Sequence, residues 1–309
     1  MGISEIDKFT IKSYEAIHGK VHNFGDISKI EELPYCDLLT YSFPCVDISQ
    51  SGKMQGIKEG TRSGLLLEVE RLLLKAKQNG TLPKYLLLEN VKNLVGKKFI
   101  KDFERWLSFL NSLGYYSNWE VLNAKDYGVA QDRARVFYVG FRKDLNLKFA
   151  PPKPYKNRLT LKDAIYDLKE TAIPALAKNE TNGNDCLIAN HEYFVGSFSP
   201  FFMSRNRVRS WETQAFTVQA SGRHCQLHPQ APPMPKLEKN KNVFASGSEH
   251  LYRRLTVREC ARLQGFSDDF IFYYKKLNDG YKMIGNAVPV SLSYEMAVQI
   301  KKILSVYCT

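Results

Sequence analysis

No run of about 18 apolar residues occurs anywhere in the 309-residue chain, which excludes a membrane-spanning helix of ordinary length. The opening MGISEIDKFT lacks the basic-then-apolar pattern of an export signal. It begins Met-Gly, but Ile6 stands where an N-myristoylation signal carries Ser or Thr. There is no Cys-x-x-Cys pair. The six cysteines (Cys36, Cys45, Cys186, Cys225, Cys260 and Cys308) are scattered and read as reduced thiols of a cytoplasmic protein. Cys225 and His228, with His224 nearby, have a ligand-like spacing, but two or three ligands on one loop do not close a zinc site. No metal is expected, and no internal repeat is present. Acid is the scarce charge: 44 Lys and Arg face 32 Asp and Glu, a net +12 that points to a polyanionic partner, most simply nucleic acid.

What is present is an α/β pattern. PYCDLLTYSF, PKYLLLENV, SNWEVLNA and RVFYVGF read as strands. Between them, GTRSGLLLEVERLLLKAKQ and FIKDFERWLSFLNSLGYY read as amphipathic helices, the second closed by Gly114. Strands alternating with helices imply a mostly parallel sheet covered on both faces. Residues 1–150 form the first part of that domain. APPKPYKNR reads as a linker, and 151–247 as a smaller, loop-rich unit with short β pieces, rich in Asn, Pro, Arg and aromatics. Residues 248–309 return to helix. Thr256 and Glu259 have capping-box spacing, and GNAVP turns into a closing amphipathic helix.

Ligands of such sheets bind beyond the carboxyl ends of the strands. Cys45 follows one such end and Glu89–Asn90 another. Cys45 and Asn90 therefore share an edge, and three blocks stand out: Pro-Cys (44–45), Glu-Asn-Val (89–91) and QDRARVF (131–137), the last leading into a further strand. These blocks, with EID (5–7) and GDI (25–27) before them and RRLTVRECARLQGF and GNAVP (285–289) after, resemble in order and spacing the signature blocks of the DNA cytosine-5 methyltransferases. The resemblance covers essentially the whole chain. It implies a Rossmann-like, S-adenosylmethionine-dependent methyltransferase sheet plus a target-recognition domain, acting on double-stranded DNA.

The residue types suit that chemistry. C5 of cytosine is a poor nucleophile. A thiolate added at C6 makes the ring an enamine whose C5 can attack a methyl donor. The resemblance gives Cys45 that role. Glu89 would supply a proton near N3 if its pKa is raised, and Asn90 would hold the turn that bears it. Arg133 and Arg135 alternate on the approach to a strand and so share a face. By resemblance Arg135 binds the base O2 and Arg133 braces the catalytic loop. The target base must leave the duplex, and the loop from Ser49 to Gly60 reads as its lid, with Ser49 and Lys53 within reach of phosphates.

For the cofactor, the resemblance implies Glu5 at the ribose hydroxyls, Ile6 at the adenine face and Asp26 at the adenine amino group. Ile27 and Pro44 would lie beside them, and Asn286 and Val288 would close the pocket. From residue 151 the blocks NHEYFVGS, FMSRNRVR, FTVQASGR and CQLHPQAP resemble the recognition domain of the HaeIII-type methyltransferases, which modify the inner cytosine of GGCC. Arginine reads guanine through O6 and N7. Arg207 and Arg223 are the expected guanine readers, with Arg205 and Arg209 alongside. A restriction endonuclease of the same specificity is the expected partner in the cell.

Two departures stand out. Val46 follows the Pro-Cys where the family usually has Gln. The family's first strand and its aromatic-x-Gly-x-Gly turn, which receives the methionine part of the cofactor, are not found before GISEID. On that reading the chain binds S-adenosylmethionine poorly by itself. An upstream segment or a second polypeptide then completes it, or the chain binds DNA without methylating it. A tRNA cytosine methyltransferase on the same fold is disfavoured by the long Arg-rich region, which suits duplex major-groove reading.

Overall fold

The computed structural model describes residues 1–43 and 64–305. Pro44, Cys45, Val46, Ser49 and Lys53 lie outside the described residues, as does the rest of the proposed lid up to Gly60.

The N-terminal part places β1 (Gly2–Ile3), α1 (Lys8–His18), β2 (His22–Asn23) and β3 (Leu38–Tyr41) before α2 (Leu65–Gln78), β4 (Tyr85–Val91), α3 (Ile100–Leu113), β5 (Tyr115–Asn123) and β6 (Ala134–Arg142). The central sheet has the order β3-β4-β6-β5. The expected mostly parallel pairing holds for β3 with β4, whereas β6 runs antiparallel to both β4 and β5. The sheet is therefore mixed. Strand direction is invisible in an apolar run, and the short connection from β5 to β6 permits a hairpin-like return. β1 and β2 pair with each other in parallel as a separate two-stranded sheet.

Both faces of the central sheet are covered, and the period-two alternation of the strands shows how. On β4, Leu86 and Leu88 enter a core formed with α2 and α3 through Leu66, Val69, Leu73, Phe103, Trp106 and Leu110. Tyr85 and Leu87 pack on the other face, with Phe137, Val139 and Phe141 of β6. There they meet Leu292 and Met296 of the last helix, α7 (Val290–Ser305). Each fully buried Leu contributes about 1.5–3 kcal/mol. Gly114, at φ 100°, ends α3 in the left-handed region that glycine tolerates.

The remainder contains α4 (Leu161–Ile165), the short pairs β7–β8 (Ile173–Pro174, Glu192–Tyr193) and β9–β10 (Lys236–Glu238, Lys241–Asn242), then α5 (Val257–Leu263) and α6 (Leu277–Asn286). Thr256 and Glu259 form the capping box at the start of α5. Two cores organise this part. One is small and local, built on Phe202, Val208, Leu227, Met234 and Tyr252. The other joins Leu161, Ile165, Ala215, Val218 and Cys225 to Leu255, Leu263, Tyr281 and Ile284. The irregular middle of the chain is thus packed directly onto α5 and α6. Among the described residues no helix is long and apolar enough to cross a membrane.

Candidate active site and DNA-reading face

The carboxyl end of β4 carries Glu89 and Asn90, both buried. Asn90 Nδ2 donates to the Phe43 carbonyl at 3.0 Å, and its Oδ1 accepts from the Val91 amide at 2.8 Å. One side chain thereby ties the end of β4 to the last described residue before Pro44 and Cys45. The antiparallel course of β6 brings its beginning to the same place. Val91 is in register with Arg135, and Glu89 with Phe137. Glu89 and Arg135 share the face that carries Phe137, and Arg135 Nε lies 3.1 Å from Glu89 Oε1. Burial pushes the Glu89 carboxyl above its ordinary pKa, while Arg135 and Arg133 pull it down without cancelling that effect.

Arg133 is buried, and its guanidinium reaches the far end of the chain. Nη2 donates to the carbonyls of Gly285 at 2.8 Å and Ala287 at 3.1 Å, and Nη1 donates to Val218 at 3.3 Å. It braces the GNAVP turn. Whether it also braces the catalytic loop falls outside the described residues. Gly285 leaves no room for a side chain, since a Cβ there would stand 2.4 Å from the Ala220 nitrogen. Asn286 ends α6 exposed, and Val288 packs against the core beneath α7.

The N-terminal segment meets α6 through Asp7, whose Oδ2 accepts from Lys282 Nζ at 2.8 Å. Glu5 Oε1 accepts from the amides of Ile6 and Asp7, and Ile6 is 74% exposed. Asp26 caps the short turn Ile27–Lys29 through the Ser28 amide and hydroxyl. Those bonds hold its carboxyl below the ordinary range. Ile27 packs against the α2–α3 core.

The family model for C-5 cytosine-specific DNA methylases matches residues 1–302. The chain belongs to that family. It is 50% identical over 307 residues to the type II methyltransferase M.FnuDI of Fusobacterium nucleatum, covering 98% of this chain and 88% of the relative. It is 49% identical to M.NgoPII of Neisseria gonorrhoeae, covering 97% and 88%. Among solved structures, a candidate DNA modification methyltransferase encoded within an E. coli prophage superposes with a TM-score of 0.69 at 19% identity, over 98% of this chain and 92% of that one. The protein is a DNA cytosine-5 methyltransferase of the type II class, and its methyl donor is S-adenosylmethionine.

In this methyltransferase the four arginines singled out from sequence occupy different settings. Arg205 and Arg223 are exposed. Arg209 lies with its guanidinium 4.1 Å from the centroid of Phe216. Arg207 is buried: Nε donates to the Phe202 carbonyl at 2.8 Å and Nη2 to Phe201 at 3.0 Å, with the guanidinium 4.9 Å from the Phe202 ring. Desolvation and the neighbouring Arg205 push its pKa down to about 10. No carboxylate pairs with it among the described residues. His224 lies beside Arg207 and Arg223. Burial and the field of these cations with Arg254 hold its imidazolium below the ordinary range.

Sequence reasoning missed the polar residues that hold the methyltransferase together. Gln131 and Gln264 are fully buried and bonded to each other at 2.8 Å. Glu259 is equally buried. It accepts two bonds from Arg253, at 2.7 and 2.8 Å, and faces His228 Nε2 at 3.4 Å. Burial pushes the His228 pKa down to about 4, so this imidazole is neutral. Its Nδ1 accepts from the Gln230 amide, which leaves the ring hydrogen on Nε2, toward the carboxylate. The ligand-like spacing of Cys225 and His228 has this other explanation: Cys225 packs on Cys260, with sulfurs 3.6 Å apart, and His228 faces Glu259. The one sequence signal for this network was the Thr256–Glu259 capping spacing.

Proposed function

We propose that this methyltransferase modifies the inner cytosine of GGCC, with residues 151–247 as the recognition domain and 1–150 with 248–309 as the catalytic domain. The observation that carries the specificity is Arg207. A buried guanidinium without a counter-ion is costly unless its remaining hydrogens meet strong acceptors. Two backbone carbonyls already hold it, so its side-chain entropy is lost before DNA arrives. Hydrogens on both Nη atoms remain for the O6 and N7 of a guanine. Arg223 reads the second guanine, Arg205 adds an ancillary contact, and Arg209 steadies the backbone. DNA from cells expressing the protein should resist an endonuclease that cuts GGCC. Arg207→Ala should restore cutting. Cutting of DNA from cells with the unaltered protein would reject the specificity.

At the strand ends, Cys45 attacks C6 of an extruded cytosine, Glu89 gives a proton toward N3, and Arg135 binds O2. Asn90 holds the two strand exits together. Ser49 and Lys53 grip phosphates as the lid closes. Bound S-adenosylmethionine supplies an electrophilic methyl group. The chain's donor set fits it. Glu5 Oε2 and Asp26 Oδ2 have no partner among the described residues, which leaves an acceptor for the ribose hydroxyls and one for the adenine amino group. Ile6 offers an exposed apolar surface to the purine, and Ile27, Pro44, Asn286 and Val288 complete the proposed pocket.

The two-stranded β1–β2 sheet shares no register with the central sheet among the described residues, and Leu38 on β3 is 41% exposed. The outer edge of β3 is unpaired among the described residues, so a cofactor bound beside it lacks a neighbouring strand there. Isothermal calorimetry of the 309 residues alone should show weak S-adenosylmethionine binding, and micromolar affinity would overturn that. A cognate endonuclease for the same sequence, in the same bacterial cytoplasm, completes the system.

A further inference from the structure

The segment from Ala215 to Gly222 lies along the lead-in to β6 like an extra strand. The Ala215 amide donates to Ala130 and the Asp132 amide to Ala215, both at 2.9 Å. Thr217 Oγ1 donates to the Asp132 carbonyl at 2.7 Å. The Val218 amide donates to Gln131 Oε1 at 2.8 Å, and the Val218 carbonyl accepts from Arg133. Ala220 then abuts Gly285, and the Gly222 amide donates to Asn278 of α6. Arg223 is the next residue. Arg135 lies four residues beyond Gln131, on the strand this lead-in becomes.

Gln131 sits under the middle of that rail, and its bonds have only one possible direction. Gln264 Nε2 donates to the carbonyls of Ile284 at 2.8 Å and Ala287 at 3.1 Å. Carbonyls only accept, so Gln264 must turn its oxygen toward Gln131. Gln131 must then present Nε2 to that oxygen and to the Leu263 carbonyl, leaving Oε1 for the Val218 amide, which only donates. Flipping either amide breaks bonds at both ends of the chain, in a site without solvent to replace them.

We propose that Gln131 and Gln264 are positioning residues that set the register of the 215–223 segment on the catalytic sheet, and so fix where Arg223 stands relative to Arg135 and Glu89. A slip of this rail moves the base-reading arginine against the site where the target cytosine is held. The result is methylation at wrong sequences rather than a uniform loss of rate. The inference rests on Arg223 reading DNA, but not on which sequence it reads.

The test is a methylation map by bisulfite sequencing of host DNA from cells expressing each form. The quantity is methylation at the preferred motif divided by that at sites differing in one base pair. Gln131→Glu keeps the size and the acceptor for Val218 but sets oxygen against oxygen at Gln264, and should lower the ratio about tenfold or more. Gln264→Glu, which loses the donations to Ile284 and Ala287, should lower the ratio in the same direction. Thr217→Val, a milder cut in the same rail, should lower the ratio less and in the same direction, and it decides the matter if Gln131→Glu does not fold. Leu110→Ala, a core truncation beneath α3, should lose stability with the ratio unchanged. Ratios equal to wild type in Thr217→Val and in any folded Gln131 variant would overturn the proposal, as would an equal fall in Leu110→Ala. A wild-type map centred on another motif would reject GGCC while leaving this comparison intact.

Discussion

Replacing Glu89 with glutamine is expected to slow methyl transfer by about two to four orders of magnitude, the usual weight of a positioned acid. Glutamine keeps the shape and an oxygen for Arg135, 3.1 Å away, but has no proton to give. The carboxyl is suited to the task because burial raises its pKa, with Arg135 and Arg133 opposing. Raising the pH through that shifted pKa removes the proton, so the wild-type rate should fall on the alkaline side for this reason. The variant should lack that limb. Single-turnover transfer of labelled methyl groups, read with DNA affinity measured separately, makes the distinction. A variant with wild-type kcat would show that Glu89 only orients Arg135. One with weakened DNA binding and intact kcat would place it in ground-state binding.

The second large effect concerns stability. Glu259→Gln leaves Arg253 buried and charged without its carboxylate. Breaking a buried pair from one side costs about 3–5 kcal/mol. For a chain of this size that lowers the melting midpoint by roughly 5–8 °C. The same network sets the acid limit. Burial pushes the Glu259 carboxyl up, but the charge and paired bonds of Arg253, with His228, outweigh it and hold the pKa down at about 2. The folded pKa lies below the unfolded value of 4.5, so this stabilisation is present above pH 4.5 and is lost as the pH falls toward 2. His228, buried neutral, acts in the same sense. Its pKa drops from 6.5 to about 4 on folding, so its contribution is full above pH 6.5 and erodes down to about 4. Chemical denaturation as a function of pH should show the wild-type protein weakening steadily from near-neutral pH into acid. Glu259→Gln should remove the lower part of that slope. An unchanged slope would place the acid sensitivity elsewhere.

Much of the site was legible because strand exits carry their own punctuation. The apolar run that opens Tyr85–Val91 gives way to Glu89 and Asn90, and the structure puts both at the sheet edge. Arg133 and Arg135 were readable as a pair, but not their different partners: Arg135 meets Glu89, while Arg133 donates to Gly285 and Ala287. The reversal of β6 was not readable, because an apolar strand has no polarity in its side-chain pattern. Helix α1 escaped notice for a different reason. Its one buried side chain is Ser13, which accepts from the Tyr273 amide, so it docks by a polar contact and not by an apolar stripe. Arg207 was readable as a DNA-facing arginine, but its setting could not be told from that of Arg205 or Arg223, which are exposed. Its burial depends on the turn that presents the Phe201 and Phe202 carbonyls. Gln131 was part of a quoted block, yet its partner Gln264 lies 133 residues away, and no local pattern joins them.

The reach of Arg133 also governs the order in which the protein can mature. Its carbonyl partners at Gly285 and Ala287 lie 152 and 154 residues further along the chain. Contacts that distant form late, because the intervening loop must be closed before they give anything back. During synthesis the sheet carrying Glu89 and Arg135 is complete long before the GNAVP turn leaves the ribosome. The α7 side chains Leu292 and Met296, which cover the second face of that sheet, are made later still, so the sheet's packing and the bracing of Arg133 are completed by the same end of the chain.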